Sequence, residues 1–162
     1  MPYRLRSEDG SFVERAPVVV RAEVSVPASP EAVWPAFADA AAWPRWFSGM
    51  KDAHYTSPAP HGVGSTRHVE VQGLRADETI LAFDVGRRFA FRVDSANVPF
   101  LRAMVEVVTL EPAGGETRVV YCQALEPKPW LRLLAPLLRS GMERGLRRGL
   151  DGLAPWVAAQ RP

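Results

Sequence analysis

Apolar and polar residues alternate from Val18 to Val26, with Val18, Val20, Ala22, Val24 and Val26 on one side and Arg21, Glu23 and Ser25 on the other. That period of two predicts a strand with one buried face. Ser29 then suits an N-cap, Pro30 the first helical position, and Glu31 the positive end of a helix dipole. Pro35 breaks the hydrogen-bond ladder after little more than one turn and Pro44 interrupts the next segment, so the pattern predicts two short helices with a kink between them. From residue 51 onward six further strands are expected: Asp52 to Ser57, Gly64 to Val71, Leu74 to Val85, Arg88 to Asp94, Leu101 to Glu111 and Thr117 to Leu125. Gly73, Gly86 and the Gly114-Gly115 pair mark hairpin corners, and connections this short force neighbours to run antiparallel. With the first strand they make a seven-stranded sheet, long enough to curl.

Pro127 and Pro129 end the strands, and a helical pattern follows from Pro136 to about Ala159. Its inner stripe reads Leu137, Leu138, Gly141, Gly145, Leu146, Gly149, Leu153 and Trp156, while Arg139, Glu143, Arg144, Arg147, Arg148 and Asp151 turn away. The organisation expected is a lead-in over 1–17, as a hairpin or a loose tail, and one domain over 18–162. A chain of 162 residues suits that single domain.

Charge narrows the picture little. Twenty Lys and Arg against eighteen Asp and Glu give a net +2, and the basic segment Arg139 to Arg148 carries no interleaved aromatics, so no nucleic-acid partner is expected. There is no apolar run long enough for an integral membrane segment. Cys122 is the single cysteine, inside VVYCQ, which excludes an internal disulfide and a cysteine-built zinc site. With no signal-peptide pattern at Met1, the expectation is a cytoplasmic protein. No phosphate loop, dinucleotide fingerprint, nucleophile elbow or metal-ligand spacing occurs, so neither cofactor nor metal is expected.

The order strand, two short helices, six strands, long C-terminal helix resembles the α+β helix-grip fold of the START-like superfamily, which includes polyketide cyclase/dehydrase-like proteins. SPEAVW followed by WPRWF, then VGSTRHV, ETILAFDVGRRFAFRV and TLEPAGGETRVVY look like successive elements of that family, from Val18 to Ala159. The resemblance implies a curved sheet wrapped around the long helix, a space between them, and the short helices closing one end. Pro35 departs from the family's usual helix former after Val-Trp. Because the fold hosts cyclases, lipid carriers, receptors and cochaperones, function has to come from the cavity.

Trp34, Trp43, Trp46 and Phe47 are large enough to anchor helices too short to be stable alone. They read as plugs sealing the end of the sheet, or, for Trp46, Phe47 and Met50, as the wall of a mobile ligand entrance. Gly141, Gly145 and Gly149 form a face without side chains, which fits either a close helix-to-sheet approach or room for a ligand. Phe89, Phe91, Met104, Tyr121, Leu138 and Met142 complete the expected wall. The catalytic candidates are His68, which shares a strand face with Thr66 and Glu70, together with Tyr121 and Glu106. Glu78, Arg92 and Arg102 are further charges in apolar strands, where an inward charge needs a partner. The expected function is binding of a small to medium hydrophobic ligand of lipid, polyketide or aromatic type. The alternatives are an aromatase/cyclase- or dehydratase-like enzyme using the same cavity and a cochaperone-like interaction module. The oligomeric state is left open, a homodimer included.

Overall fold

The computed structural model describes residues 2–160, so Met1, Arg161 and Pro162, the outer ends of the two expected spans, lie outside the described residues. Eight strands form one antiparallel sheet: β1 (Tyr3–Arg4), β2 (Val18–Val26), β3 (Met50–Tyr55), β4 (Thr66–Val71), β5 (Leu74–Asp84), β6 (Arg88–Ala96), β7 (Leu101–Ala113) and β8 (Glu116–Pro127). The main path runs β2-β8-β7-β6-β5-β4-β3, so the first long strand closes onto the last and the remainder form a meander. All seven strands expected from the alternation are present.

The lead-in is neither a hairpin nor a loose tail. β7 pairs with β6 only as far as Arg92↔Val105, after which the two strands part. β1 fills the vacated edge, with Tyr3 opposite Ala96 and Arg4 opposite Ser95. The backbone N–H groups of Leu5 and Arg6 then reach Asp94 on β6 and Arg102 on β7, stitching the gap. A 3-10 helix at Gly10–Glu14 places Phe12 on the outer face of the sheet against Ala90, Val105, Cys122 and Ala124, forming a second small core.

After β2 the chain forms α1 (Pro30–Val33), α2 (Pro35–Ala38), a 3-10 turn at Ala40–Ala42 and α3 (Trp43–Trp46). The Ser29 side chain caps α1, as its position predicts. Pro35 and Pro44 open helices rather than interrupting them, because each sits in a first turn where no amide hydrogen bond is lost. The real break is Asp39, which is extended and caps the 3-10 turn through Ala41 N–H. The tryptophans satisfy their indole N–H groups on backbone carbonyls of this same segment, Trp43 on Phe37 at 3.0 Å and Trp46 on Ala36 at 2.9 Å. Phe37 stands edge-on to both rings.

The C-terminal helix differs from the single run expected. It divides into α4 (Ala135–Leu150) and α5 (Leu153–Ala159) at Asp151 and Gly152. Both pack on β2. The division occurs where the helix meets α3: a Cβ on Gly152 would stand 2.0 Å from the carbonyl oxygen of Trp46. Leu137 also departs from the expected inner stripe, at 72% exposure. The buried stripe is Leu146, Gly149, Leu150, Leu153 and Val157, with Met142 and Trp156 half-buried beside it. No helix among the described residues is long and apolar enough to cross a membrane.

The contacts at Gly149 and Gly152 differ in what would have to move. At Gly149 a Cβ would meet the far end of the Phe47 ring, which can turn; at Gly152 it would meet backbone. Gly152→Ala is therefore expected to cost about 3 kcal/mol, and Gly149→Ala less. Urea unfolding of the two variants checks the order, and a Gly152→Ala midpoint equal to that of the parent would refute the close approach.

Candidate functional site

Alternation along the strands sends one set of side chains to the concave face: Arg67, Val69 and Val71 from β4, Ala76 and Glu78 from β5, Phe91 and Val93 from β6, Met104 and Glu106 from β7, Tyr121 and Gln123 from β8. With Gly141, Met142, Gly145 and Leu146 of α4 they line an open-sided cavity of about 620 Å³, with Gly141 at its exposed rim. Trp43, Phe47 and Met50 close one end; Val98, Phe100 and Leu101 stand where β6 and β7 part. The sharp division between this face and the outer one follows from the period of two.

Six of the nine wall residues expected from sequence border the cavity: Phe47, Met50, Phe91, Met104, Tyr121 and Met142. Trp46 is instead buried within the α2–α3 plug, packed on Phe37, Trp43 and Phe47. Phe89 points inward but is covered by Trp34 and Phe83. Leu138 lies on a half-buried flank of α4 and does not reach the space.

The glycine stripe divides between its two readings. A Cβ on Gly141 or Gly145 would meet nothing within 4 Å, whereas one on Gly149 would stand 2.4 Å from the Phe47 ring. The first two glycines leave room; the third allows close packing.

The titratable candidates separate in the same way. His68 lies on the outer face, with Nδ1 2.7 Å from Asp77 Oδ1, so its cross-strand carboxylate partner exists but faces away from the cavity. Its hydrogen bond holds the Asp77 carboxyl below the ordinary range. Arg92 pairs with Asp94 and Arg102 with Glu126, neither among the lining residues. Cys122 is buried on the outer side beside Phe12, and burial pushes its thiol up.

Glu106 and Tyr121 do face the cavity, and they touch. The Tyr121 hydroxyl donates to Glu106 Oε2 at 2.5 Å and Gln123 Nε2 donates to the same oxygen at 3.2 Å. Burial, with the nearby Glu78 charge adding to it, pushes the Glu106 carboxyl up to about 7 against the pull of those two hydrogen bonds. Burial, then the neighbouring Glu106, raises the Tyr121 hydroxyl well above its usual value.

The residue that sequence reasoning missed is Arg67. It is 1% exposed and donates from Nε to Glu78 Oε2 at 2.5 Å. Its guanidinium carbon lies 4.3 Å from the Phe91 ring, 4.6 Å from Trp43 and 5.3 Å from Phe89, a cation enclosed by aromatic faces. Burial pushes the Glu78 carboxyl up, while the charge and hydrogen bond of Arg67 pull it back. Arg67 Nη1 is fully enclosed and has no hydrogen-bond partner among the described residues. The available signal was its phase in TRHVEV, which it shares with Val69 and Val71 rather than with His68.

A curled antiparallel half-barrel closed by a C-terminal helix, with an apolar cavity between them, defines the helix-grip class of START-like proteins. The chain belongs to the polyketide cyclase / dehydrase and lipid transport family, whose family model matches residues 17–157. An uncharacterized protein of Mycobacterium tuberculosis is 33% identical over 159 residues, spanning 93% of this chain and 94% of that one. Among solved structures, TTHA0849 from Thermus thermophilus superposes with a TM-score of 0.72 at 22% identity, covering 89% of this chain and 99% of that one. A START superfamily protein from Mycobacterium smegmatis gives 0.62 at 18% identity, over 83% and 98% of the two chains. DynU16, a putative protein in the dynemicin biosynthetic locus, gives 0.68 at 21% identity over 89% of this chain and 48% of its own.

The buried Glu106 has a consequence for stability. Folded, it keeps its proton to about pH 7; unfolded, it releases it near the ordinary 4.5. Between those values the folded chain binds more protons, so stability falls as pH rises through the window, by on the order of 3 kcal/mol. Glu106→Gln, which has no proton to lose, should flatten that slope. Urea unfolding across the window compares the two, and parallel curves would refute the assignment.

Proposed function

We propose that the protein binds a small to medium hydrophobic ligand, of lipid, polyketide or aromatic type, in the space between the curved sheet and α4. The observation that carries this reading is that Gly141 and Gly145 border an apolar cavity and have open space where their side chains would be. Each glycine costs about 1 kcal/mol of helix stability relative to alanine. At about 620 Å³ the volume is that of a small-molecule site rather than a packing defect. The remaining wall has the matching chemistry, mostly aliphatic and aromatic with a few polar groups grouped together. The family's description, spanning cyclisation, dehydration and lipid transport, is compatible with each ligand type.

A second reading, a cyclase- or dehydratase-like enzyme, is favoured by one feature: Glu106 borders the cavity with a carboxyl poised near neutrality, the condition for moving a proton. A cochaperone-like module would instead show a filled cavity and a broad exposed apolar patch; the open space speaks against it, while the exposed Trp130, Leu133, Leu134 and Leu137 at the start of the C-terminal helical segment are the feature it would use.

The binding reading predicts opposite effects at one position. Gly145→Ala should raise stability by up to about 1 kcal/mol, since its Cβ meets nothing. Gly145→Leu should project into the cavity and weaken a neutral fluorescent probe such as N-phenyl-1-naphthylamine by roughly tenfold or more. Thermal melts and probe titrations read both. A destabilised Gly145→Ala combined with unchanged probe binding in Gly145→Leu would defeat the cavity reading.

A further inference from the structure

We propose that the outer face of the sheet carries a metal site built on His54 and His68, which takes one divalent transition ion, Zn2+ or Cu2+, through the Nε2 atoms of the two imidazoles. The site is separate from the cavity, which lies on the other face. His54 on β3 and His68 on β4 are direct cross-strand neighbours; His68 is in turn opposite Asp77 on β5, and Asp77 opposite Ser95 on β6. Residues paired in this way share a face, with Cβ atoms roughly 5 Å apart. The two rings lie at 41° to one another with centres 5.6 Å apart. An ion bonded to one nitrogen of each ring would stand about 3.2 Å from each centre, so rings up to about 6.4 Å apart can share it.

Orientation and access separate this pair from ordinary surface histidines. Each ring is held through the same nitrogen: His54 Nδ1 is 2.9 Å from Asp52 Oδ2 and His68 Nδ1 is 2.7 Å from Asp77 Oδ1, while the Ser95 hydroxyl donates to the other Asp77 oxygen at 2.7 Å. A carboxylate can only accept, so Nδ1 carries the proton and Nε2 presents a bare lone pair. A carboxylate behind the ring is the outer shell that orients histidine ligands and raises their basicity. The rings are also reachable, with the His54 side chain 55% exposed and that of His68 30%. Imidazole nitrogen selects Zn2+ and Cu2+ over Mg2+ and Ca2+, which prefer oxygen. No group of three or more His, Cys, Asp and Glu among the described residues is placed to hold a metal, so two nitrogens are the protein's contribution and water completes the shell. An ion bound there clips the edge strand β3 to β4. No sequence spacing announces it, because the two histidines belong to different strands and meet only through their register.

The test titrates Zn2+ calorimetrically into the full chain, free of any affinity tag, in a buffer that does not chelate. A single ion should bind per chain. The protein has three histidines, and the imidazole nitrogen signals of His54 and His68 should shift on adding Zn2+ while those of His61 stay, a readout that needs no variant. Bound Cu2+ should show paramagnetic splitting from two nitrogens. His54→Gln and His68→Gln should each weaken Zn2+ binding by about tenfold or more, and so should Asp77→Ala, which leaves both imidazoles in place. All three replaced side chains lie on the outer face, so binding of N-phenyl-1-naphthylamine should match the parent and separate loss of the site from loss of the fold. No uptake at millimolar Zn2+, or uptake that survives in His54→Gln/His68→Gln, overturns the site. Unchanged affinity in Asp77→Ala overturns it as well, leaving only adventitious binding by exposed imidazoles. A chain that takes Zn2+ but no probe keeps the metal site and loses the cavity reading, so the two fail independently.

Discussion

The enclosed guanidinium of Arg67 is the interaction on which the architecture of the concave face depends. From one position on β4 it binds Glu78 on β5, lies against Phe89 and Phe91 on β6, and meets Trp43 of α3. Three strands and the helical plug are thereby referred to a single cation. Such a pair is strongly asymmetric: removing one member leaves an unpaired charge in a water-poor place, commonly at 3 to 5 kcal/mol, roughly. Neither Arg67 nor Glu78 can change alone without disturbing the aromatic packing around them. The arrangement also concentrates the polarity of the cavity, because Glu106 and Tyr121 sit next to the pair and respond to its charge.

The helix facing that wall has two regimes along one stripe. At Gly141 and Gly145 it stands off from the sheet, and the missing side chains contribute volume; at Gly149 and Gly152 it comes down onto Phe47 and the Trp46 backbone, and the missing side chains permit contact. The tryptophans make this possible by bonding their indoles to Phe37 and Ala36 carbonyls, which keeps the short helices rigid enough to serve as an abutment. The cavity thus lies beside the part of the helix that does not touch: one end is clamped, and along the other Met142 and Leu146 line the space. At the far side, β6 and β7 separate and β1 covers only the edge of the gap, which keeps the sheet continuous while Val98, Phe100 and Leu101 border the space.

Membership of a family that spans polyketide chemistry and lipid transport sets the architecture, while the chemistry resides in a handful of inward side chains. In this chain those are one aromatic-boxed cation, one paired carboxylate, one carboxyl near neutrality with its tyrosine, and the glutamines Gln72 and Gln123, against an otherwise apolar wall. That combination discriminates by hydrogen bonding and charge within a space whose shape is set by hydrophobic packing.

The local pattern of the sequence was sufficient for the strands, the Ser29-Pro30 helix start and the hairpin corners, because each rests on interactions among neighbouring residues. It also placed Glu106 and Tyr121 among the candidates, since a polar residue in an apolar strand is conspicuous wherever it points. It did not distinguish Arg67 from His68: TRHVEV alternates without a plainly apolar face, and period two gives the phase of a strand, not which phase is concave. The division of the C-terminal helix carried a local signal that the reading passed over, Pro155, which has no N–H for the carbonyl of residue 151 and whose ring crowds it; what lay beyond the local pattern is the Trp46 carbonyl that Gly152 abuts, from more than a hundred residues earlier. Leu137 kept its helical phase but is exposed, since phase is local and burial depends on what the rest of the chain places against it. What tertiary structure alone decided was therefore contact between distant elements, and it is that contact which sorts one glycine stripe into cavity and clamp and turns an unremarked arginine into the centre of the site.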